Sequence, residues 1–155
     1  MIRHHRVADL GPLPAPRLAP NVTVQQALQF LVRGRRGAIV AVDAGKPVGI
    51  LTERDIVYRM TDGMFTSAET RRRTPIRAVM SSPCATIRRQ ASLHDAIHAM
   101  VQASYRHLVV IDGKGDLQGL LTGGDVIQFL TDHFPEETIN LPPRLHQRYD
   151  SRGGA

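Results

Sequence analysis

The chain has few of the residues on which several common classes of protein depend. It contains 155 residues with a single cysteine, Cys84, and no tryptophan, and only 5% of its residues are aromatic. A single cysteine excludes an intramolecular disulfide, which agrees with a reducing cytoplasm, and the few aromatic side chains leave little surface on which nucleic-acid bases could stack. No apolar run approaches the roughly 18 residues of a membrane span, and the N-terminus carries no signal-peptide core. We therefore expect a cytoplasmic protein, with no membrane segment, that forms one compact domain.

What the chain does contain is a string of eight residues that occurs twice. Residues 49–56 read GILTERDI and residues 119–126 read GLLTGGDV. Upstream of these strings, TVQQAL at 23–28 corresponds to SLHDAI at 92–97, and AIVAVD at 38–43 corresponds to HLVVID at 107–112. Two repeats of about 60 residues are each too small to bury a good core alone. We therefore expect the repeats to pack on each other with pseudo-two-fold symmetry.

The same order of elements, β-α-β-β-α, is predicted for each repeat. A capping box opens the first helix of each, formed by Thr23 with Gln26 and by Ser92 with Asp95, and apolar residues follow at helical spacing. Two β-rich runs joined by a glycine-lysine turn come next, and a second helix follows. The predicted fold class is α/β (α+β) with two such repeats. Strands and second helices are predicted at 16–18, 38–42, 48–51 and 55–60, and again at 84–87, 108–111, 117–121 and 125–132.

This pattern divides the chain into five parts. Residues 1–18 form an N-terminal extended segment with the first strand, 19–61 the first repeat, 62–75 a linker, 76–132 the second repeat and 133–155 a C-terminal tail. The linker is predicted to be a loop, because it contains Gly63, Pro75 and the run Arg71–Arg73. The prolines between 11 and 16 exclude regular structure there.

The repeated Thr-x-x-Asp element has two interpretations. Thr52 with Asp55, and Thr122 with Asp125, lie where a strand is predicted to end and a helix to begin. A threonine at such a place caps the helix and a carboxylate in the first turn stabilises it, without any ligand. Proteins also commonly hold phosphates and ribose hydroxyls at such places. The occurrence of the element at the same place in both repeats favours a binding site.

Taken together, these strings resemble a tandem pair of CBS (cystathionine-β-synthase) domains, also called a Bateman module. The resemblance covers about residues 7–132 and rests on VMSSP at 79–83, SLHDAIHAMV at 92–101, RHLVVID at 106–112 and both repeated strings. It implies a regulatory module, not an enzyme, that binds AMP, ADP, ATP, S-adenosylmethionine or NAD-type dinucleotides. AMP is the first candidate, no cofactor is required, and the implied partners are a second copy of the chain and an effector protein.

The resemblance also implies two ligand sites, each built from both repeats. The first site combines Thr52 and Asp55 with Ile50, Ala85 and Tyr105. The second site combines Thr122 and Asp125 with Pro16, Gly37 and Leu120.

The two implied sites are expected to be unequal. Arg106 and His107 match a position at which the family often directs basic residues toward phosphate, and the first repeat has Gly37 and Ala38 there. We therefore expect the site of Asp125 to be better equipped for phosphate than the site of Asp55.

Other functions remain open. The net charge of +6 would suit a nucleic-acid-binding protein, although the arginines are scattered and no groove-reading motif is present. A structural dimerisation module without a ligand is the other alternative. An enzyme is disfavoured because no general base with an orienting partner is visible. His94 and His98 lie one helical turn apart but lack a third zinc ligand, and Cys84 lacks the partners of a nucleophile.

The tail has two interpretations as well. Its apolar residues, Phe134, Ile139 and Leu141, either reach across a dimer or cover one repeat of the same chain.

Overall fold

The computed structural model describes residues 2–34, 36–103 and 105–134, in two compact units, Met1–Gly123 and Gly124–Ala155. The strands are β1 (Arg17–Leu18), β2 (Ala38–Asp43), β3 (Lys46–Thr52), β4 (Thr86–Arg88), β5 (His107–Ile111) and β6 (Leu117–Thr122). The helices are α1 (Val24–Arg33), α2 (Glu53–Thr61), α3 (Ala68–Arg73), α4 (Leu93–Ala103) and α5 (Gly123–His133). Short 3-10 turns occur at Ile2–His4, Val7–Leu10 and Ile76–Ala78.

Both repeats have the predicted order of elements, so the predicted fold class is confirmed. The boundaries agree within about two residues. The largest shifts are two residues, at the starts of β3, α2, β4 and α5. Helix α2 begins two residues before Asp55 because Thr52 is its N-cap. Of the predicted tail residues, Ile139 and Leu141 lie outside the described part of the chain.

The two sheets repeat each other in detail. Their strand orders are β1-β2-β3 and β4-β5-β6, each with one parallel and one antiparallel pair. Val40 pairs with Ile50 in the first sheet, and Val109 pairs with Leu120 in the second. The antiparallel register shifts at equivalent places, after Ala41 and after Val110. The duplication seen in the sequence is therefore also a duplication of backbone geometry.

Strand β2 is buried on both faces. Ile39 belongs to a core cluster with residues of α1 and α2, whereas Val40 belongs to a cluster with Val109 and Leu120 of the second sheet. Neighbouring strand residues point to opposite faces, so one face of β2 packs on its own repeat and the other on the second repeat. This explains the uninterrupted apolar run at the start of β2, where a half-exposed strand would alternate.

The N-terminal segment pairs with the second repeat, and the start of the second repeat pairs with the first. The N–H of Val7 donates to the carbonyl of Ala91 at 3.0 Å, and the N–H of Ile76 donates to the carbonyl of Val22 at 2.8 Å. Val7 and Ile76 have no exposed surface. Neither repeat therefore completes its core with its own residues, as expected for units of this size.

The arginine run between the repeats is helical, so the predicted loop is wrong for these residues. Arg73 forms an ion pair of 2.7 Å with Glu69, one helical turn earlier. Arg71 donates to the side chain of Gln25 at 2.8 Å and to the carbonyl of Phe65 at 2.6 Å. Arginine and glutamate favour helix, and the contacts of Arg71 attach α3 to the first repeat.

Gly119 lies where β6 passes close to the N-terminal segment. A Cβ atom at this position would lie 2.5 Å from the carbonyl oxygen of Leu13 and 3.1 Å from its Cβ. Because these are backbone-fixed atoms that cannot rotate away, we expect Gly119→Ala to lower the free energy of unfolding by about 1–3 kcal/mol in urea denaturation. Gly113→Ala is the control, because its Cβ would meet only Arg88 Nη1 at 3.6 Å. Equal losses in both variants would contradict this close approach.

Candidate functional site

A cleft of about 420 Å³ lies in the first unit, where β3 ends and α2 begins. This volume is in the range of small-molecule sites. Four stretches of chain line it: the end of β3 with the first turn of α2, the segment before β4, the entry into β5, and the entry into β2. The lining residues are Gly37, Ile50, Thr52, Glu53, Arg54, Asp55, Ser81, Pro83, Cys84, Ala85, Tyr105, Arg106 and His107. Asp55 and the four residues that the sequence placed with it, Thr52, Ile50, Ala85 and Tyr105, are all among them.

Thr52 and Asp55 hold each other at the N-terminus of α2. Thr52 Oγ1 accepts a hydrogen bond from the N–H of Asp55 at 3.1 Å, and Asp55 Oδ2 accepts one from the N–H of Thr52 at 3.0 Å. These bonds form a complete capping box, so the capping interpretation applies to both residues. Asp55 Oδ1 makes no hydrogen bond with any described residue. The cap therefore fixes the carboxylate in the cleft and leaves one oxygen open to a donor.

The segment before β4 is held against strands of both repeats. Ile50 and Ser81 exchange two backbone hydrogen bonds, of 3.0 and 2.9 Å, and the N–H of Val109 donates to the carbonyl of Ala85 at 2.9 Å. The segment thereby connects β3 with β5 and contributes mostly apolar surface to the cleft.

Cys84 lies in this segment, just before β4. Burial raises the pKa of its thiol above the ordinary value, against a smaller lowering by a backbone hydrogen bond. A thiol with a raised pKa holds little thiolate near neutral pH, and the thiolate is the nucleophile. Cys84 is thus suited to be part of the cleft wall and not to covalent chemistry.

Arg106, His107 and Gly37 all line the cleft of Asp55. Sequence reasoning assigned Gly37 to the site of Asp125 and used Arg106 and His107 to favour that site. In the structure, Gly37 and Arg106 occupy equivalent places: the carbonyl of Gly37 accepts from the N–H of Glu53 at 2.9 Å, and that of Arg106 accepts from the N–H of Gly123 at 3.0 Å. The basic pair belongs to the described cleft, and this removes the reason for ranking the site of Asp125 first.

The cleft carries charge of both signs. Glu53, Arg54 and Arg106 are exposed, and none of their side chains forms a hydrogen bond or ion pair with a described residue. Two guanidinium groups are therefore available to an anionic group, while Asp55 can accept hydrogen bonds from hydroxyl groups. This combination suits a ligand that has both a diol and a phosphate.

The other predicted site residues lie elsewhere. Leu120 has no exposed surface and packs in the core between the sheets, so its side chain does not line an open cleft. The carbonyl of Pro16 accepts from the N–H of Val40 at 2.8 Å. Thr122 ends β6, and Asp125 lies in the first turn of α5.

Five cleft residues escaped sequence reasoning: Glu53, Arg54, Ser81, Pro83 and Cys84. A signal was present for each. The first two are the variable positions within the Thr-x-x-Asp element, and the other three directly precede Ala85.

Within the described ranges, neither a metal site nor a membrane-spanning helix is found. No group of three histidine, cysteine, aspartate or glutamate side chains there could hold a metal ion. The rings of His94 and His98 stack with centroids 6.3 Å apart on an exposed face of α4. In the same ranges, no helix combines the length and the apolar character needed to cross a membrane.

Comparison with known proteins agrees with this geometry. The sequence-family model of the CBS domain matches residues 7–62 and 76–132. The CBS domain-containing protein YhcV of Bacillus subtilis is 34% identical over 124 residues, which span 77% of this chain and 81% of that protein. The CBS domain protein PAE2072 of Pyrobaculum aerophilum, solved in complex with AMP, is 25% identical with a TM-score of 0.69, over 77% of this chain and 88% of that one.

A further solved structure shares the fold at lower identity. The CBS domain pair of protein MJ0100, in complex with 5′-methylthioadenosine and S-adenosyl-L-methionine, is 20% identical with a TM-score of 0.70. The match covers 81% of this chain and 98% of that one.

Proposed function

The chain belongs to the CBS domain family, and on that premise we propose that it is a regulatory module that binds an adenosine-containing nucleotide in the cleft of Thr52 and Asp55. The observation that carries the proposal is the Asp55 carboxylate, which the capping box fixes in the cleft with Oδ1 unpartnered among the described residues. A carboxylate held in this way can accept hydrogen bonds from ribose hydroxyls. The relative from Pyrobaculum aerophilum, solved with AMP, supports the same class of ligand.

The charges of the cleft favour a phosphorylated ligand. Arg54 and Arg106 line the cleft with their guanidinium groups unpaired in the described part of the chain, and the N-terminus of α2 opens into it. Guanidinium groups and helix N-termini both stabilise phosphate. AMP is therefore the first candidate, ahead of S-adenosylmethionine, whose sulfonium is positively charged.

Regulation would follow because both repeats contribute residues to the cleft. Thr52 and Asp55 belong to the first repeat, whereas Ala85 and Arg106 belong to the second. A ligand that contacts both repeats stabilises the arrangement in which it binds best, and so shifts the population of arrangements. A surface that differs between arrangements can then control an effector protein.

Exposed apolar side chains support a homodimer. Val57 and Tyr58 of α2 are 61% and 68% exposed. Val32 in α1 and Val101 in α4 hold equivalent positions in the two repeats and are 85% and 71% exposed. Apolar exposure repeated at equivalent positions suits an interface that both repeats enter, as a two-fold dimer allows.

A ligand panel tests this function. Thermal unfolding of the full chain is measured with AMP, ADP, ATP, NAD(P), S-adenosylmethionine and GTP, and light scattering gives the molecular mass of the same samples. We expect AMP to stabilise the protein by about 2.7 kcal/mol at 100 times its Kd, GTP and S-adenosylmethionine to stabilise it less, and the mass to be that of a dimer.

Each alternative has its own outcome in this panel. No stabilisation by any adenosine compound would refute ligand binding and leave a dimerisation module. An equal response to GTP would indicate phosphate binding without recognition of adenosine. Affinity for any polyanion that falls steeply between low and moderate salt would favour a nucleic-acid-binding protein.

A further inference from the structure

The cleft edges of β3 and β6 are equivalent in the duplication but have different partners. In the first repeat, Ile50 exchanges two backbone hydrogen bonds with Ser81, of 3.0 and 2.9 Å. In the second repeat, the N–H of the equivalent Leu120 donates to the carbonyl of Leu13 at 3.1 Å. The carbonyl of Leu120 accepts instead from the guanidinium group of Arg36.

A side chain replaces the second backbone hydrogen bond in the second repeat. Leu13 lies between Pro12 and Pro14, which have no N–H. Arg36 supplies the donors: its Nε donates to the carbonyl of Pro14 at 3.1 Å, and its Nη2 donates to the carbonyl of Leu120. The rigid guanidinium fork suits two acceptors at once. Arg36 thus bridges the N-terminal segment and β6.

The residue equivalent to Arg36 has a different role. Tyr105 corresponds to Arg36 in the duplication, lines the cleft of Asp55 and is 50% exposed. Ile50 keeps exposed surface in that cleft, whereas Leu120 has none. In the first repeat, Ile50 of β3 lines the cleft. In the second repeat, the carbonyl of the equivalent Leu120 in β6 contacts the side chain of Arg36 instead.

We propose that the side chain of Arg36 occupies the place beside Leu120 that is equivalent to the cleft edge at Ile50, so that each chain binds one nucleotide, in the cleft of Asp55, as long as Arg36 keeps its two carbonyl contacts. The proposal rests on the proposed function, because it states how many nucleotides the module binds. The carbonyl of Arg36 also lies 3.4 Å from Nε2 of His107, which lines the open cleft. Arg36 therefore contacts both Leu120 of β6 and a residue that lines the cleft of Asp55.

The number of AMP molecules bound per chain tests the proposal. Isothermal titration calorimetry of the wild type is expected to give one AMP per chain, and Arg36→Ala is expected to give two. In the double variant Arg36→Ala with Asp55→Ala, one AMP should remain, which would assign the new event to a place other than the cleft of Asp55. Arg33→Ala is the matched control, because Arg33 is exposed at the end of α1, and it is expected to bind one.

Two AMP molecules per wild-type chain, or one AMP in both the wild type and Arg36→Ala, would overturn the proposal. If Arg36→Ala does not fold, Arg36→Lys is measured in its place. Lysine keeps the charge but has one nitrogen and cannot hold both carbonyl groups as the guanidinium does, so binding of a second, weaker AMP is expected. Absence of this second AMP counts against the proposal. A wild type that binds no AMP beside an Arg36→Ala that binds one would refute only the function proposed for the cleft of Asp55. Absence of binding in both proteins would refute both proposals.

Discussion

Asp55→Ala is expected to raise the Kd for AMP roughly 10- to 150-fold. The substitution removes the carboxylate that the cap holds in the cleft, and hydrogen bonds to a charged group contribute about 1.5–3 kcal/mol. Isothermal titration calorimetry of the wild type and the variant measures this change. The capping bond to the N–H of Thr52 at 3.0 Å is lost as well, so a control must separate capping from ligand contact.

Gln26→Ala supplies that control. Gln26 occupies the same place in the first turn of α1 as Asp55 does in α2, and its Oε1 accepts from the N–H of Thr23 at 3.1 Å. The substitution therefore removes the same kind of capping bond. Gln26 lies outside the cleft. A comparable loss of AMP affinity in both variants would show that helix capping, and not contact with the ribose, accounts for the effect.

Phe65→Ala is expected to lower the free energy of unfolding by about 3–5 kcal/mol. Phe65 is 1% exposed and belongs to the core cluster of the first repeat, together with Ile76 and Val79. Removing the ring leaves a cavity among side chains that both repeats contribute, and these cannot collapse fully into it. Urea denaturation followed by circular dichroism measures the change.

Phe30→Ala is the matched control for this loss. Phe30 is 50% exposed on α1, and a surface substitution of this kind changes stability by about 0.5 kcal/mol. Equal losses in Phe65→Ala and Phe30→Ala would mean that the connection between the repeats does not belong to the core.

The predicted elements that proved right are those with local causes. Thr23 and Gln26 form the expected capping box, with Thr23 Oγ1 accepting from the N–H of Gln26 at 3.2 Å. The residues of such a box are three positions apart, so a short stretch of sequence contains the whole interaction. The same holds for Thr52 and Asp55.

The connection between the repeats shows where local signals mislead. Gly63 and Pro75 indicate a loop, yet α3 forms between them. Its stability draws on Arg71, whose guanidinium reaches Gln25, 46 positions away. A six-residue helix is not stable in isolation, so the short stretch that encodes α3 could not reveal it without the contacts that hold it.

The sequence by itself determined the duplication, the order of elements in each repeat and the capped Asp55, because these depend on residue spacing and on hydrogen bonds between near neighbours. Only the tertiary structure decided that Arg106 and His107 lie in the cleft of Asp55 and that Arg36 holds the carbonyl of Leu120, 84 positions away. Pairings over such distances depend on how the strands of the two repeats meet. Two repeats with nearly the same local pattern can therefore present one open cleft edge and one that an arginine occupies.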